Sequence, residues 1–471
     1  MSLLSVRMPV LLGLSLLLSC SGGGEEVRET PAGTEAGSAA ETWSEPGEVD
    51  GPRVVVIGFD GVDPDLVAQF SDHLPRLSAY MAQGRMHRLG TTTPPQSPVA
   101  WSSFATSRNP GAHGIFDFVN RNPSTYFPNV GTNSYQGPEF EPTGRVSAPG
   151  SASSPRTGTP FWQHVADAGL PVRVLSVPYS FPPQNLGSQS AMLSGLGTPD
   201  LRLTNSTFFL FGTDIDAEQD RKNVSGGDLV PLAEVSDGPH SRWFTGEVAG
   251  PSGLSRGSRE SVRLTFSPDV AAGTVAIEGG GVELTATMGA FSDFATLEFP
   301  VSNFYVAKAL VRFFPIQVGE ELRVYMTPLM LHPDAPYIPF SYPEQFAAQL
   351  AGEYGDFKTI GWIHDTSALN SESITDEIFA QDMEAIFQQR LQMTLGELRK
   401  KNAKLFISVF TATDRAGHLF MRFLDEDHAR HEDAESGQED LILRTYTWMD
   451  DALGQIEAEL GEDDTLIVLS D

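Results

Sequence analysis

The sequence has a single cysteine, Cys20, so no intramolecular disulfide can brace the fold. It is also short of basic residues. Against 61 Asp and Glu stand 31 Lys and Arg, a net charge of −30 at pH 7. A surface that acidic repels nucleic acid and anionic lipid over long range, which excludes nucleic-acid binding driven by charge. An anionic small molecule would have to be drawn in by cations placed locally. The N-terminal apolar run Met8–Leu18 falls short of the roughly 20 residues that span a bilayer. The Gly-x-Ser-x-Gly elbow is missing, which argues against an esterase triad. No internal repeat is visible. What remains is a chain with 40% apolar and 20% charged residues, able to bury an ordinary core. At 471 residues it is long enough for a large domain plus an accessory unit.

The run Met8–Leu18 follows Arg7 and has the length of a signal-peptide core. It ends on Leu17-Leu18-Ser19-Cys20, which resembles a bacterial lipobox. Residues 1–20 are therefore expected to be a lipoprotein signal peptide, with Cys20 lipidated as the mature N-terminus. The plainer reading is an ordinary signal peptide with a chance cysteine. Ser21 rather than Asp follows Cys20, a pattern that in Gram-negative lipoproteins goes with transit to the outer membrane. The expected location is extracytoplasmic, with contact to the membrane through the lipid. Residues 21–50 are rich in Gly, Ser, Ala, Glu, Thr and Pro, cannot bury enough surface to fold, and read as a flexible tether.

From residue 51 the texture is α/β. Arg53–Phe59 is a β-branched run closed by Gly61, the pattern of a fully buried parallel strand. Asp65 to about Met81 reads as a helix, Pro160–Ala168 as another, and Val172–Val177 as the next strand. Alternation of this kind argues for a doubly wound, mainly parallel sheet over 51–204. Between 205 and 335 the pattern changes to short alternating runs (Val262, Leu264, Phe266; Val275, Ile277; Val282, Leu284; Leu322, Val324) punctuated by Gly and Pro. This reads as an inserted β-rich accessory domain. The α/β texture returns over 336–471, with a helix from Thr375 to Lys400, a strand Leu405–Phe410, a helix Arg444–Leu460 and a final strand.

Open α/β sheets place functional groups beyond the carboxyl ends of their strands. Asp60, Asp414 and Asp471 each follow a predicted strand, and His418 lies four residues after Asp414. If a helix starts there, the aspartate and the histidine face one point. Carboxylates and an imidazole on one rim suit zinc or a similar divalent metal. Each residue alone has an ordinary explanation, because Asp after a strand is a common turn residue or helix cap. A further candidate is Ser97, in Pro94-Pro95-Gln96-Ser97-Pro98, where a Pro-rich loop enters a helix. It reads either as the helix cap or as a nucleophile. A helix N-terminus favours an incoming anion, and a metal-bound hydroxyl attacks near neutral pH.

Taken in order, Gly58-Phe59-Asp60-Gly61, Ser97 ahead of Pro110, His113, Gly114 and Ile115, Thr413-Asp414-Arg415-Ala416-Gly417-His418, and Leu466–Asp471 resemble the motifs of the type I phosphodiesterase and nucleotide pyrophosphatase branch of the alkaline phosphatase superfamily. The resemblance implies an alkaline-phosphatase-type fold and two divalent metal ions, zinc in the family. One ion would be held by Asp60, Ser97 and Asp471, the other by Asp414 and His418. It also implies hydrolysis of a small phosphate ester, diester or monoester, through a phospho-serine on Ser97.

There are departures. The family's nucleotide-cleaving members carry an Asn downstream of the nucleophile that helps hold a phosphoryl oxygen. Three residues after Ser97 this chain has Ala100. Pro98 removes the backbone N–H directly after Ser97. The sulfatase Cys/Ser-x-Pro-x-Arg motif is absent. Other donors must hold the phosphate, and nucleotide specificity does not follow. Trp101 and Phe104 read as helix core. A phosphomutase or phosphotransferase on the same fold, or a non-catalytic binding protein that keeps it, are the competing readings. Thr465–Asp471 reads as a buried strand that stops at the last residue, so a C-terminal truncation is expected. Residues 1–471 alone are then expected to be inactive, since the resemblance places two further histidines beyond Asp471.

Overall fold

The computed structural model describes Trp43 and residues 45–131, 133–216, 224–236, 242–255, 257–431 and 437–471. Cys20, the expected signal peptide and most of the expected tether lie outside the described residues. No described helix is long and apolar enough to cross a membrane.

The centre is a six-stranded sheet built from β1 (Val54–Phe59), β2 (Val172–Leu175), β3 (Ala191–Leu193), β4 (Ser341–Tyr342), β5 (Leu405–Phe410) and β6 (Thr465–Leu469). The order is β4-β3-β2-β5-β1-β6, and every pairing is parallel except the short β3–β4 contact at the edge. β1 is paired with β5 on one side, from Val54↔Leu405 to Phe59↔Phe410, and with β6 on the other.

The near-continuous apolar runs of β1 and β5 are explained by burial on both faces. Val55, Ile57 and Phe59 join one core layer with Phe406 and Phe410. This layer is packed by α1 (Pro64–Gln69), α2 (Pro75–Ala82), the long helix Asp376–Arg399 and the helix Leu441–Glu457. Val56, Leu405, Ile407 and Val409 point the other way, to Trp101 and Trp162 from the helices Ser97–Thr106 and Phe161–Asp167. Helices on both faces of a mainly parallel sheet make the doubly wound α/β arrangement. Arg53, 5% exposed, ties the start of β1 to the turn before β6, with Nε 3.0 Å from Asp464 Oδ2.

Several elements end where local chemistry requires. The helix expected from Asp65 to Met81 is two helices, because Pro75 cannot donate to the preceding turn and instead opens α2. The free N–H groups of that opening turn, at Arg76 and Leu77, are taken by the buried carboxylate of Asp450 at 3.0 and 2.8 Å. Thr375 caps the long helix, accepting from Ile378 N, and Asp376 and Glu377 complement the positive end of its dipole. The final strand forms, but as the outermost strand with half-covered side chains, Ile467 being 43% exposed, rather than as a buried one.

Phe208–Leu331 is all β in the described residues. It contains a five-stranded antiparallel sheet (Ala233–Ser236, Arg242–Ser252, Arg259–Asp269, Thr274–Gly279, Val282–Thr287) beside sheets of four and three strands. Leu264, Phe266, Val275 and Ile277, every second residue, are fully buried there. Three small two-stranded hairpins between Val119 and Ser153 had no clear signal in the sequence.

Candidate active site

The carboxyl ends of β1, β5 and β6 bring three aspartates to one rim. Asp60 leaves β1 with its N–H bonded to the Phe410 carbonyl (2.8 Å), and its own carbonyl accepts from Thr413 Oγ1 (2.6 Å). The chain turns sharply at Gly61, whose φ is +66°. A Cβ there would sit 2.8 Å from Asp414 Cα, so glycine is what lets the turn press against the helix Ala412–Leu424. Asp471 is tied to the same turn, with Gly61 N donating to Oδ1 at 2.9 Å, and Val62 N donates to Ser470 Oγ at 2.8 Å.

The electrostatics follow from this crowding. Asp60 is 2% exposed. Burial pushes its pKa well above the ordinary carboxylate range, and the charges of Asp414 and Asp471 push it further. Against them acts one strong donor, Trp101 Nε1, 2.6 Å from Asp60 Oδ1. Asp414 behaves differently. Burial alone would raise its pKa, but the hydrogen bond to His418 and the charge of Arg415 outweigh it and leave the carboxyl below its usual value. His418 Nε2 lies 3.2 Å from Asp414 Oδ1, one helical turn away, and its pKa is raised chiefly by that bond.

The helix expected after Asp414 therefore forms, and it places Asp414 and His418 side by side. Ser97 stands at the first residue of the helix Ser97–Thr106, half-exposed, with Pro98 next. It is not the cap: Gln96 occupies that position, and no side chain caps the helix. The Ser97 hydroxyl makes no hydrogen bond among the described residues. It lies one turn before Trp101, on the face whose indole reaches Asp60. Trp101 is core, as expected, being fully buried, and it is also a ligand of the carboxylate, which its spacing could not reveal.

The donor types on this rim fit a divalent cation, since they are carboxylate oxygens and an imidazole whose mutual repulsion a positive charge would relieve. Among the described residues, however, no three His, Cys, Asp or Glu side chains form a group able to hold one metal ion.

Beside the rim is a cleft lined by Asp60, Thr411 and Arg415 on one side, Ser176 and Gly195 beyond β2 and β3 on another, and the segment 357–363 with Arg390 on the third. Lys358, Arg390 and Arg415 all border it, which sequence reasoning missed. A signal existed for Arg390. Met383, Phe387, Arg390 and Thr394 follow helical spacing on the buried face of Asp376–Arg399, so a cation interrupts an apolar stripe.

Residues 54–220 match the family model of type I phosphodiesterase / nucleotide pyrophosphatase. No curated protein and no solved structure matches the chain. The match supports an alkaline-phosphatase-like family and, at that level, an enzyme that hydrolyses phosphate esters. The matched stretch includes Asp60 and Ser97. Asp414, His418 and Asp471 lie outside it.

Proposed function

We propose that this chain hydrolyses small phosphate esters at the rim formed by β1, β5 and β6, with Ser97 as nucleophile and with divalent metal ions, zinc by resemblance, at the carboxylates. The observation that carries the reading is the crowding of Asp60, Asp414 and Asp471 into one partly buried place, where Asp60 is held above its normal pKa by burial and by its two acidic neighbours. Such repulsion is costly in a fold that serves no purpose by it, and sites of this kind are where chemistry is done. Asp60 and Asp471 would hold one ion with Ser97, and Asp414 and His418 the other. Bound there, the ions would lower the pKa of a hydroxyl or water and offset phosphoryl charge.

The chain's own residues set the rest. Trp101 holds Asp60 in one rotamer, and Gly61 presses the β1 turn onto Asp414. Ser97, at a helix N-terminus and unoccupied by a capping bond, is free to attack. Its Oγ forms the new bond to phosphorus as the ester oxygen departs with a proton, and water then cleaves the phospho-serine. The test is Ser97→Ala in the full-length protein, assayed on mono- and bis-nitrophenyl phosphate with zinc. Turnover should fall at least about a thousandfold with secondary structure intact. Activity within tenfold of wild type would remove Ser97 from the reaction.

A further inference from the structure

The proposed reaction leaves one requirement unmet by its own residues. A phosphoryl group in transfer carries charge on its non-bridging oxygens, and that charge must meet positioned donors. Pro98 withholds the N–H next to Ser97, and Ala100 supplies no side-chain donor. In a chain of net charge −30, donors for an anion are also scarce in general.

Three cations nevertheless border the cleft that Asp60 lines: Lys358, Arg390 and Arg415. Two of them are accounted for. Lys358, 6% exposed, pairs with Asp382. Arg415 Nε lies 3.4 Å from Asp414 Oδ2, and its guanidinium stacks over the Trp362 ring at 4.2 Å. Arg390 is not. Its Nη1 donates to the Val409 carbonyl at 3.2 Å, and no carboxylate pairs with it among the described residues. A guanidinium has five N–H donors in a rigid fork, and half-buried Arg390 gives one of them to that carbonyl. Burial lowers the pKa of Arg390 to about 10, and no acid offsets it. The position is not a surface accident, because Arg390 sits on the stripe where its helix packs against β5.

A second observation shows that the three charges converge. His364 is 1% exposed, and neither ring nitrogen has a hydrogen-bond partner. It is kept neutral first by burial and then by Arg415, Lys358 and Arg390 together. Around that imidazole the molecule has concentrated positive charge that its own carboxylates leave partly unanswered.

We propose that Arg390 binds a non-bridging oxygen of the substrate's phosphoryl group, with Lys358 and Arg415 shaping an anion subsite that replaces the donors missing beside Ser97. This rests on the reading of the chain as a phosphate-ester hydrolase. A planar fork matches phosphate in a way a backbone N–H does not, and Arg390 lies in the same cleft as Asp60.

Inorganic phosphate is the probe, used on the full-length protein with zinc present. Its affinity is read by calorimetry and by inhibition of nitrophenyl phosphate turnover. Arg390→Gln should weaken phosphate binding at least about tenfold and lower kcat/KM by about 10²–10³, the usual consequence of losing one such donor. Arg399→Gln removes the same charge from an exposed site on the same helix, paired with Glu459, and should leave phosphate affinity unchanged. Should Arg390→Gln not fold, the wild type is treated with phenylglyoxal, and the Arg390 peptide is followed by mass spectrometry. Phosphate should slow its modification. The subsite is overturned if Arg390→Gln binds phosphate like wild type, if Arg399→Gln weakens binding equally, if wild type binds no phosphate, or if phosphate leaves the phenylglyoxal rate unchanged. The two readings separate cleanly. Wild-type turnover by Arg390→Gln would refute the subsite alone, whereas phosphate binding through Arg390 without hydrolysis of any ester would refute the hydrolase reading alone.

Discussion

Trp101→Phe should expose how much of the site is held by one hydrogen bond. The indole is fully buried between β1 and its helix, and a Cβ added at Gly58 would lie 2.5 Å from Cη2, so the ring has no room to move. Two losses follow from replacing indole by phenyl. The first is packing: about two buried ring carbons and the cavity they leave, together about 2 kcal/mol. The second is the bond from Nε1 to Asp60 Oδ1 at 2.6 Å, a charge-assisted bond of about 1.5–3 kcal/mol. The sum is about 4 kcal/mol. The two parts can be separated, because with Asp60→Ala the indole N–H has already lost its acceptor and Trp101→Phe should cost only the packing part. Urea unfolding of the four proteins in alkaline buffer, followed by far-UV circular dichroism, gives the coupling, expected at about 1.5–3 kcal/mol. A coupling below about 0.5 kcal/mol would mean that Trp101 is core and nothing more, and that Asp60 is placed by the backbone alone.

Two other outcomes can be checked. Gly61→Ala forces a Cβ into the left-handed region and to within 2.8 Å of Asp414 Cα, and should lower nitrophenyl phosphate turnover about 100-fold with a loss of about 1–3 kcal/mol in stability; unchanged turnover and melting temperature would refute the close-packing argument. Asp365, 3% exposed, has its pKa raised from 3.8 to about 6, chiefly by burial. A raised carboxyl holds its proton more tightly in the folded state, so its stabilising contribution is complete below the ordinary value and is lost as pH rises through about 6. A carboxyl moved from 3.8 to about 6 gains roughly 3 kcal/mol in its protonated form, so Asp365→Asn should flatten the fall in stability between pH 4 and pH 7 by about that amount. An unchanged pH profile would contradict it.

Much of the central sheet was legible because the strands at its centre are buried on both faces and read as near-continuous apolar runs. Leu405–Phe410 is found with the bounds its apolar run suggested, and the four-residue step from Asp414 to His418 became a side-by-side pair once a helix formed. What was not legible depends on partners distant in the chain. Nothing near Trp101 announces that its indole reaches Asp60, 41 residues back. The break at Pro75 was readable from proline chemistry alone, yet the answer to its unpaired N–H groups comes from Asp450. Ser97 looked like a cap because serine caps helices, whereas the preceding residue took that place. The hairpins between Val119 and Ser153 are two or three residues per strand, too short for a period to show.

The register of β1 also dictates an order of events. Its two neighbours are residues 405–410 and 465–469, so the nearer partner of Val54, Leu405, is separated from it by 405 − 54 = 351 positions. In a chain made from its N-terminus at about 5–20 residues per second, this most apolar strand waits roughly 20 to 70 s for either native partner to be synthesised. Phe208–Leu331, whose strands pair largely with their sequence neighbours, can close during that interval. The carboxylate rim thus cannot close before Asp471 has been made, and β1 spends the interval as an unpaired apolar edge that something other than its own fold must shield.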